Sequence, residues 1–183
     1  FKLNLSAPTP PVPSTWVMAE AAPLETALQT YSLFVVMMYK ESIELLNKAV
    51  ADELSAIHQY MYFHFHCDDQ GFDLLANLFK RTAIDEMTHV ETLAERILFL
   101  KGDVEMNPAE EVQKTSDVKV MLELARNMEQ SSAKDYNIWA NQCSANNDAI
   151  SKKLFEELVA DEERHYDQFD TELVEDAVLG DRN

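Results

Sequence analysis

Residues that end helices are almost absent from this chain once its first segment is passed. Five of the six prolines lie within residues 8–23, and the later breakers are Gly71, Gly102, Pro108 and Gly180. A β-sheet protein of this length needs many more turns, and turns depend on glycine and proline. Hydrophobic residues make up 46% of the chain, which is enough for a buried core. These features predict an all-α protein.

Four long helical patterns follow residue 37. In the first of them, apolar residues recur every three or four positions, which is the period of one helix face. Glycines or turn-forming polar residues separate each pattern from the next. The helices are expected at about residues 40–69, 72–101, 117–145 and 148–179.

The connections between these helices predict their directions. The first and last turns are short, so helices one and two should run antiparallel, as should helices three and four. The middle connection, residues 102–117, can span roughly 50 Å when extended. A helix of about 29 residues is about 43 Å long, so this connection can cross the whole bundle. We therefore expect a four-helix bundle with one long crossover between helices two and three.

Residues 1–37 differ in composition from the rest of the chain. Residues 7–13 (APTPPVP) are typical of an extended, polyproline-like segment. We interpret residues 1–37 as a Pro-rich extension. It is either an arm that docks on a neighbouring subunit or an artefact of the position at which the sequence is taken to start. Residues 38–183 form the predicted bundle domain. The apolar run at residues 31–39 is too short for a membrane span, which needs roughly 20 residues, so no membrane partner is expected.

The charge and the cysteines narrow the class of protein further. A formal net charge of −18 argues against nucleic-acid binding, because affinity for the phosphate backbone comes from clustered Lys and Arg. The two cysteines, Cys67 and Cys143, form no CxxC motif, and a cytoplasmic location is expected. The crossover topology places the two thiols near opposite ends of the bundle, which excludes a disulfide within one chain.

The second half of the chain repeats the acidic and histidine positions of the first half at an offset of 76 residues. The corresponding pairs are Glu53 and Glu129, Tyr60 and Tyr136, Asp85 and Asp161, Glu86 and Glu162, and His89 and His165. In each half, a Glu-x-x-His motif follows a lone glutamate at the same distance of 33 residues. One such motif arises easily by chance in a glutamate-rich chain, whereas two copies with identical spacing are far more specific.

The repeated residues have the chemistry of a metal site. Glu and His three positions apart lie on one helix face and can reach the same ion. Glu53 and Glu129 stand among apolar residues and should point into the bundle, where buried carboxylates are costly unless cations balance them. One Glu from each of two helices and a Glu-x-x-His motif from each of the other two form a di-iron or di-manganese donor set. Imidazole with carboxylate suits iron. The alternative is that these side chains are solvated or salt-bridged.

The sequence resembles the bacterioferritins over about residues 38–178. The similar stretches are Glu53-Leu54-x-Ala56-Ile57-x-Gln59-Tyr60, Asp85-Glu86-Met87-x-His89, Glu95-Arg96-Ile97-Leu98-Phe99-Leu100-x-Gly102 and Asp161-Glu162-Glu163-x-His165. The resemblance implies two iron ions per subunit in a ferritin-like bundle. The implied ligands are Glu53 and His89 for one ion, Glu129 and His165 for the other, and Glu86 and Glu162 as bridges.

The same resemblance implies an activity and an assembly. The family oxidises Fe(II) with dioxygen or hydrogen peroxide, as a ferroxidase, and stores ferric mineral inside a hollow homo-oligomeric shell.

Met87 matches the family's haem-ligating methionine, which implies haem b at an interface between two subunits; a packing role is the alternative. Only 18 residues follow His165, so the short fifth helix of 24-subunit shells is not expected, and a 12-subunit cage is the alternative. Arg81 stands where the family often has a lumen-facing histidine.

Four further residues are candidates for supporting roles. Asp85 and Asp161 each precede a ligand histidine by four residues, and a carboxylate bonded to imidazole would orient its ring. Tyr60 and Tyr136 lie two turns after the lone glutamates and are candidates to hydrogen-bond the ligand carboxylates. The alternatives are ordinary surface aspartates and core tyrosines.

The competing functions are a rubrerythrin-like di-iron peroxidase, a mini-ferritin-type cage that consumes peroxide, and a structural bundle that binds metal for stability.

Overall fold

The computed structural model describes residues 24–180, with side chains described through residue 174. Within this range it contains five α-helices and no strand. The helices are α1 (Leu24–Met38), α2 (Lys40–Asp69), α3 (Asp73–Phe99), α4 (Val118–Ala145) and α5 (Ala149–Gly180). Helices α2 to α5 form the bundle, in which α2 packs mainly on α3 and α4 mainly on α5. The predicted all-α four-helix bundle is confirmed.

The connection between α3 and α4 crosses the length of the bundle along α2. Three polar side chains of α2, Asn47, Ser55 and Gln59, hydrogen-bond its backbone. Gln59 donates to the carbonyl oxygen of Gln113 at 3.0 Å and accepts from the amide of the same residue at 2.8 Å. Because these three side chains lie at multiples of four residues, they occupy one face of α2. The crossover therefore returns the chain to the far end of α2, as predicted.

Two apolar clusters fill the bundle, one toward each end. The first includes Leu46 and Phe155 and the second includes Phe63 and Phe169, all of them fully buried. Cys143 belongs to the first cluster and Cys67 to the second, and both thiols are free. The absence of a disulfide within the chain follows from this separation. Between the two clusters, the middle of the bundle is polar.

The ends of the bundle helices follow from local chemistry. The side chain of Asp117 accepts a hydrogen bond from the amide of Val120 at 3.2 Å and so caps α4. Gly71, between α2 and α3, has a φ of 81°, which glycine adopts without steric cost. At Gly102, a Cβ atom would lie 2.8 Å from Cγ2 of Ile43, so only glycine lets the chain turn this close to α2.

The first helix, α1, was not predicted. It lies within the stretch interpreted as an extension, and none of its residues is buried. Val36, near its end, packs with Tyr39 against the first apolar cluster. The sequence does carry a helical signal here, since Leu24, Ala27, Leu28 and Tyr31 are spaced by three or four residues, but the prolines before residue 24 led to the interpretation of an extended arm. The predicted polyproline-like residues 7–13 lie outside the described residues. No helix in residues 24–180 combines the length and hydrophobicity needed to cross a bilayer.

Candidate metal centre

Six buried side chains from all four bundle helices meet in the middle of the bundle. They are Glu53 of α2, Glu86 and His89 of α3, Glu129 of α4, and Glu162 and His165 of α5, and none is more than 7% exposed. They form two groups of four whose candidate ligand atoms all lie within 4.8 Å of one another. Glu86 and Glu162 belong to both groups. The structure thus brings together all six residues that the sequence repeat selected.

The ligand atoms lie close together, several of them at ion-pair distance, but without forming hydrogen bonds of good geometry. Nδ1 of His89 lies 2.7 Å from Oε2 of Glu86, 3.3 Å from Oε1 of Glu162 and 3.5 Å from Oε1 of Glu53. Nδ1 of His165 lies 3.1 Å from Oε1 of Glu86. Both Nδ1 atoms, both Glu86 oxygens and one Glu162 oxygen make no hydrogen bond. Buried polar atoms normally have a partner. The donor set therefore fits a pair of divalent cations.

The pKa values of the ligand side chains are shifted because four buried carboxylates lie together without metal cations. Burial raises the pKa of Glu53 to about 8, and the charge of Glu86 adds to this effect. Burial also favours a higher pKa for Glu86, but its contacts with His165 and His89 outweigh this and lower the pKa to about 2. Burial disfavours a charged His165, yet contacts with Glu129 and Glu86 raise its pKa to about 10. Without metal, protons take the place of cations here.

The metal-free protein should lose stability as the pH rises from about 6.5 to 10. The folded pKa of His165, about 10, exceeds its ordinary 6.5, so the stability it contributes is complete below pH 6.5 and is lost as pH rises through 10. Glu53, raised from 4.5 to about 8, acts in the same direction, since the folded state keeps a proton that the unfolded state has released. Thermal melting at pH 6.5–10 measures this, and a saturating divalent cation should flatten the trend. A melting temperature that rises with pH would contradict this account.

Two buried tyrosines hold the lone glutamates. The hydroxyl of Tyr136 donates to Oε1 of Glu53 at 2.7 Å, and the hydroxyl of Tyr60 donates to Oε1 of Glu129. Each tyrosine therefore reaches the glutamate of the other half of the repeat. Burial, followed by the charge of the acceptor glutamate, raises the pKa of each tyrosine well above its ordinary value. Both hydroxyls remain protonated donors that restrain the glutamate carboxylates.

Two aspartates lie on the far side of the histidine rings. Nε2 of His165 lies 3.3 Å from Oδ2 of Asp85, and Nε2 of His89 lies 3.5 Å from Oδ2 of Asp161. Spacing along each helix predicts that each aspartate pairs with the histidine four residues later on its own helix, and this prediction is wrong. Because α3 and α5 face each other across the site, each aspartate reaches the histidine of the opposite helix.

Comparison with known proteins identifies the family. Residues 43–177 match the family model of the ferritin-like domain. The bacterioferritin of Desulfovibrio desulfuricans is 38% identical over 123 residues, which cover 67% of this chain and 69% of that protein. The chain belongs to the bacterioferritin family. The bacterioferritin of Brucella melitensis is 34% identical over 131 residues, covering 72% of this chain and 81% of that protein.

Solved bacterioferritins share the fold of the chain. The structure of the Desulfovibrio desulfuricans bacterioferritin matches with a TM-score of 0.78 and 34% identity, covering 81% of this chain and 86% of that one. It describes a diiron site in different catalytic states. The Rhodobacter capsulatus bacterioferritin matches with a TM-score of 0.75 and 31% identity, covering 78% and 89%. That structure has a metal-free dinuclear site and haem iron in a crystallographic special position.

Met87, singled out by the resemblance to bacterioferritins, lies on the outer surface of the bundle. Its side chain is 57% exposed, whereas the neighbouring Glu86 is fully buried in the centre. Ile84, one turn earlier on α3, is 51% exposed. The two residues form a small apolar surface that faces away from the metal centre. The thioether of Met87 is therefore accessible on this surface.

Arg164 is a charged neighbour of the centre that sequence reasoning missed. Its guanidinium lies 2.9 Å from Oδ1 of Asp161 and 3.6 Å from Oδ2 of Asp85. The offset of 76 residues places Thr88 at the corresponding position, so the repeat of this bacterioferritin chain gives no signal for an arginine. The available signal was its position three residues after Asp161, where side chains on a helix meet.

Proposed function

We propose that the chain is a ferroxidase and iron-storage protein that oxidises Fe(II) at the six-residue centre and stores ferric mineral in a homo-oligomeric shell. The observation that carries this proposal is the pair of buried ligand groups that share Glu86 and Glu162. The four carboxylates of the centre balance the charge of two divalent cations, and its imidazoles favour iron over magnesium or calcium. Membership of the bacterioferritin family points to the same chemistry.

Fe(II) is the substrate in this proposal, and the reaction balances as a two-electron step. Each of two Fe(II) ions gives up one electron, and dioxygen takes both electrons with two protons to form hydrogen peroxide. Hydrogen peroxide as the oxidant takes two electrons and two protons to form two water molecules. The side chains bind and orient the ions: Glu53 with His89 at one position, Glu129 with His165 at the other. Glu86 and Glu162 lie between the two positions.

The remaining polar side chains hold this arrangement. Tyr136 and Tyr60 each donate a hydrogen bond to one oxygen of a lone glutamate and so restrain its carboxylate. The two apolar clusters on either side of the centre exclude water from the ends of the bundle. On binding, the ions displace protons that Glu53 and the histidines hold in the metal-free state.

Electron microscopy of protein loaded with Fe(II) in air tests the storage part of the proposal. A hollow assembly with an electron-dense core, of 24 or 12 subunits, is the expected result. A small oligomer that turns over hydrogen peroxide without a mineral core would favour the rubrerythrin-like peroxidase instead.

In this proposal Met87 would supply the sulfur ligand that holds a haem b shared by two subunits. The exposed thioether fits this role, since methionine sulfur is a haem ligand and the adjacent Ile84 offers an apolar surface to a porphyrin. After unbound haem is removed, protein reconstituted with haem should show a Soret band, and Met87→Ala should lose it. Met106→Ala is the matched control, because Met106 is similarly exposed at 59% but lies in the crossover. A Soret band of equal intensity in Met87→Ala would exclude this ligand.

A further inference from the structure

We propose that Arg164 is a positioning residue of the metal centre, whose guanidinium holds Asp85 and Asp161 against the two ligand histidines. This inference rests on the proposed function, because it assigns Arg164 a role only if the centre binds two metal ions. It concerns a residue that lies outside the two ligand groups and that has no counterpart in the sequence repeat.

The contacts form one continuous network on the side of the centre where Asp85, Asp161 and Arg164 are partly exposed to solvent. Nη2 of Arg164 donates to Oδ1 of Asp161 at 2.9 Å, and Nη1 lies 3.6 Å from Oδ2 of Asp85. The same two aspartates lie 3.5 Å from Nε2 of His89 and 3.3 Å from Nε2 of His165. One guanidinium therefore connects to both histidines, each through one carboxylate.

The chemistry of the histidines gives this network its function. Each ring presents Nδ1 to the ligand groups, so the ring proton of a neutral imidazole has to be on Nε2 when metal is bound. A carboxylate at Nε2 fixes that tautomer, orients the ring and makes Nδ1 a better donor. Asp85 and Asp161 occupy these positions, one for each ring.

The carboxylates of Asp85 and Asp161 are partly exposed, so a further contact is required to hold them against the histidine rings. Their side chains are 45% and 44% exposed, and both carry negative charge on the same side of the centre. Left alone, each carboxylate is free to rotate toward water and away from the other. Arg164 supplies the positive charge and the fork of N–H donors that bind two carboxylates at once.

The network is asymmetric around a centre that is otherwise duplicated. Position 88 of α3, which corresponds to position 164 of α5, holds Thr88, whose hydroxyl donates to the backbone of its own helix. A single arginine thus serves both aspartates. Loss of Arg164 should therefore weaken metal binding at both positions together. Loss of one aspartate should weaken chiefly the position whose histidine that aspartate contacts, which is His165 for Asp85 and His89 for Asp161.

Cobalt(II) titration of the metal-free protein tests the proposal, with the visible d–d absorption as the readout. Arg164→Ala should weaken Co²⁺ binding by about 3- to 10-fold, somewhat less than the 10- to 100-fold typical of losing a group bonded directly to a ligand. The d–d bands should also change in intensity as the imidazoles lose their orientation. Arg164→Lys, which keeps the charge but lacks the fork, should restore part of the affinity.

Two controls separate positioning from a general structural effect. Arg126→Ala removes a comparable arginine–aspartate pair, 3.2 Å from Asp170, that does not contact the centre, and it should leave Co²⁺ affinity and spectrum unchanged. In a chain with Asp85→Asn and Asp161→Asn, Arg164→Ala should cause no further loss, since it acts through those aspartates.

The outcomes distinguish this inference from the proposed function. Wild-type protein that fails to take up two Co²⁺ ions per chain contradicts the two-metal centre itself. Wild-type protein that takes up two ions, together with an Arg164→Ala variant of unchanged affinity and spectrum, overturns only the role of Arg164. A further loss caused by Arg164→Ala in the asparagine background would also overturn it.

Discussion

Replacing Glu53 and Glu129 together by alanine should slow Fe(II) oxidation by more than about 100-fold. The change removes one carboxylate from each ligand group and leaves two carboxylates to balance two divalent cations. Changes to groups that only support a metal ligand cost 10- to 100-fold in affinity or activity, and loss of the ligands themselves costs more. The initial rate of ferric absorbance after mixing with Fe(II) in air measures the effect, and metal analysis measures binding.

A control for this variant changes two glutamates on the bundle surface. Glu91→Ala with Glu157→Ala removes the same number of charges from exposed positions and should oxidise Fe(II) at the wild-type rate. Helix content by circular dichroism should be the same in both variants. Oxidation at the wild-type rate by the Glu53 and Glu129 variant would contradict the site assignment.

Replacing Arg96 by alanine should destabilise the metal-free protein by about 3–5 kcal/mol. Nη2 of Arg96 lies 2.6 Å from Oδ1 of Asp148, and Nε donates to Oγ of Ser151 at 2.9 Å. This pair is almost completely buried, with side chains 11% and 1% exposed, and it joins the last turn of α3 to the start of α5. Removing one partner of a buried pair leaves the other charge uncompensated, which accounts for the expected size.

A second ion pair of the same length provides the control. Nζ of Lys152 lies 2.6 Å from Oε1 of Glu156, but these side chains are 36% and 52% exposed. Because water screens such pairs, Lys152→Ala should cost less than about 1 kcal/mol. Thermal melting distinguishes the two variants, since about 1 kcal/mol shifts the melting temperature of a protein of this size by about 2–4 °C. Equal shifts in both variants would contradict the role of burial.

The bundle helices were predictable because their signals are local. The predicted bounds of the first bundle helix, residues 40–69, coincide with α2, and Gly71 and Gly102 mark helix ends in the structure. The six residues of the centre were predictable for a different reason. Their duplication at a constant offset made a shared metal site far more probable than chance.

The contacts that were not predicted depend on which helices face each other in the bundle. Spacing along one helix assigned Asp85 to His89, but only the packing of α3 against α5 shows that its partner is His165. Arg164 was missed for the same reason, because its second contact lies on another helix. α1 was missed for a different reason: Leu24, Leu28 and Tyr31 have helical spacing, but the proline-rich residues before them favoured an extended arm.

The number of Fe(II) ions that the metal-free protein oxidises per chain in its first rapid phase tests the central claim most directly. The two ligand groups, each with four donors and with Glu86 and Glu162 in common, predict two ions per chain. They also predict that Glu53→Ala with Glu129→Ala removes this phase. A count of one ion per chain or none, or a phase of two ions that persists in the double variant, would contradict a two-metal ferroxidase centre at these residues.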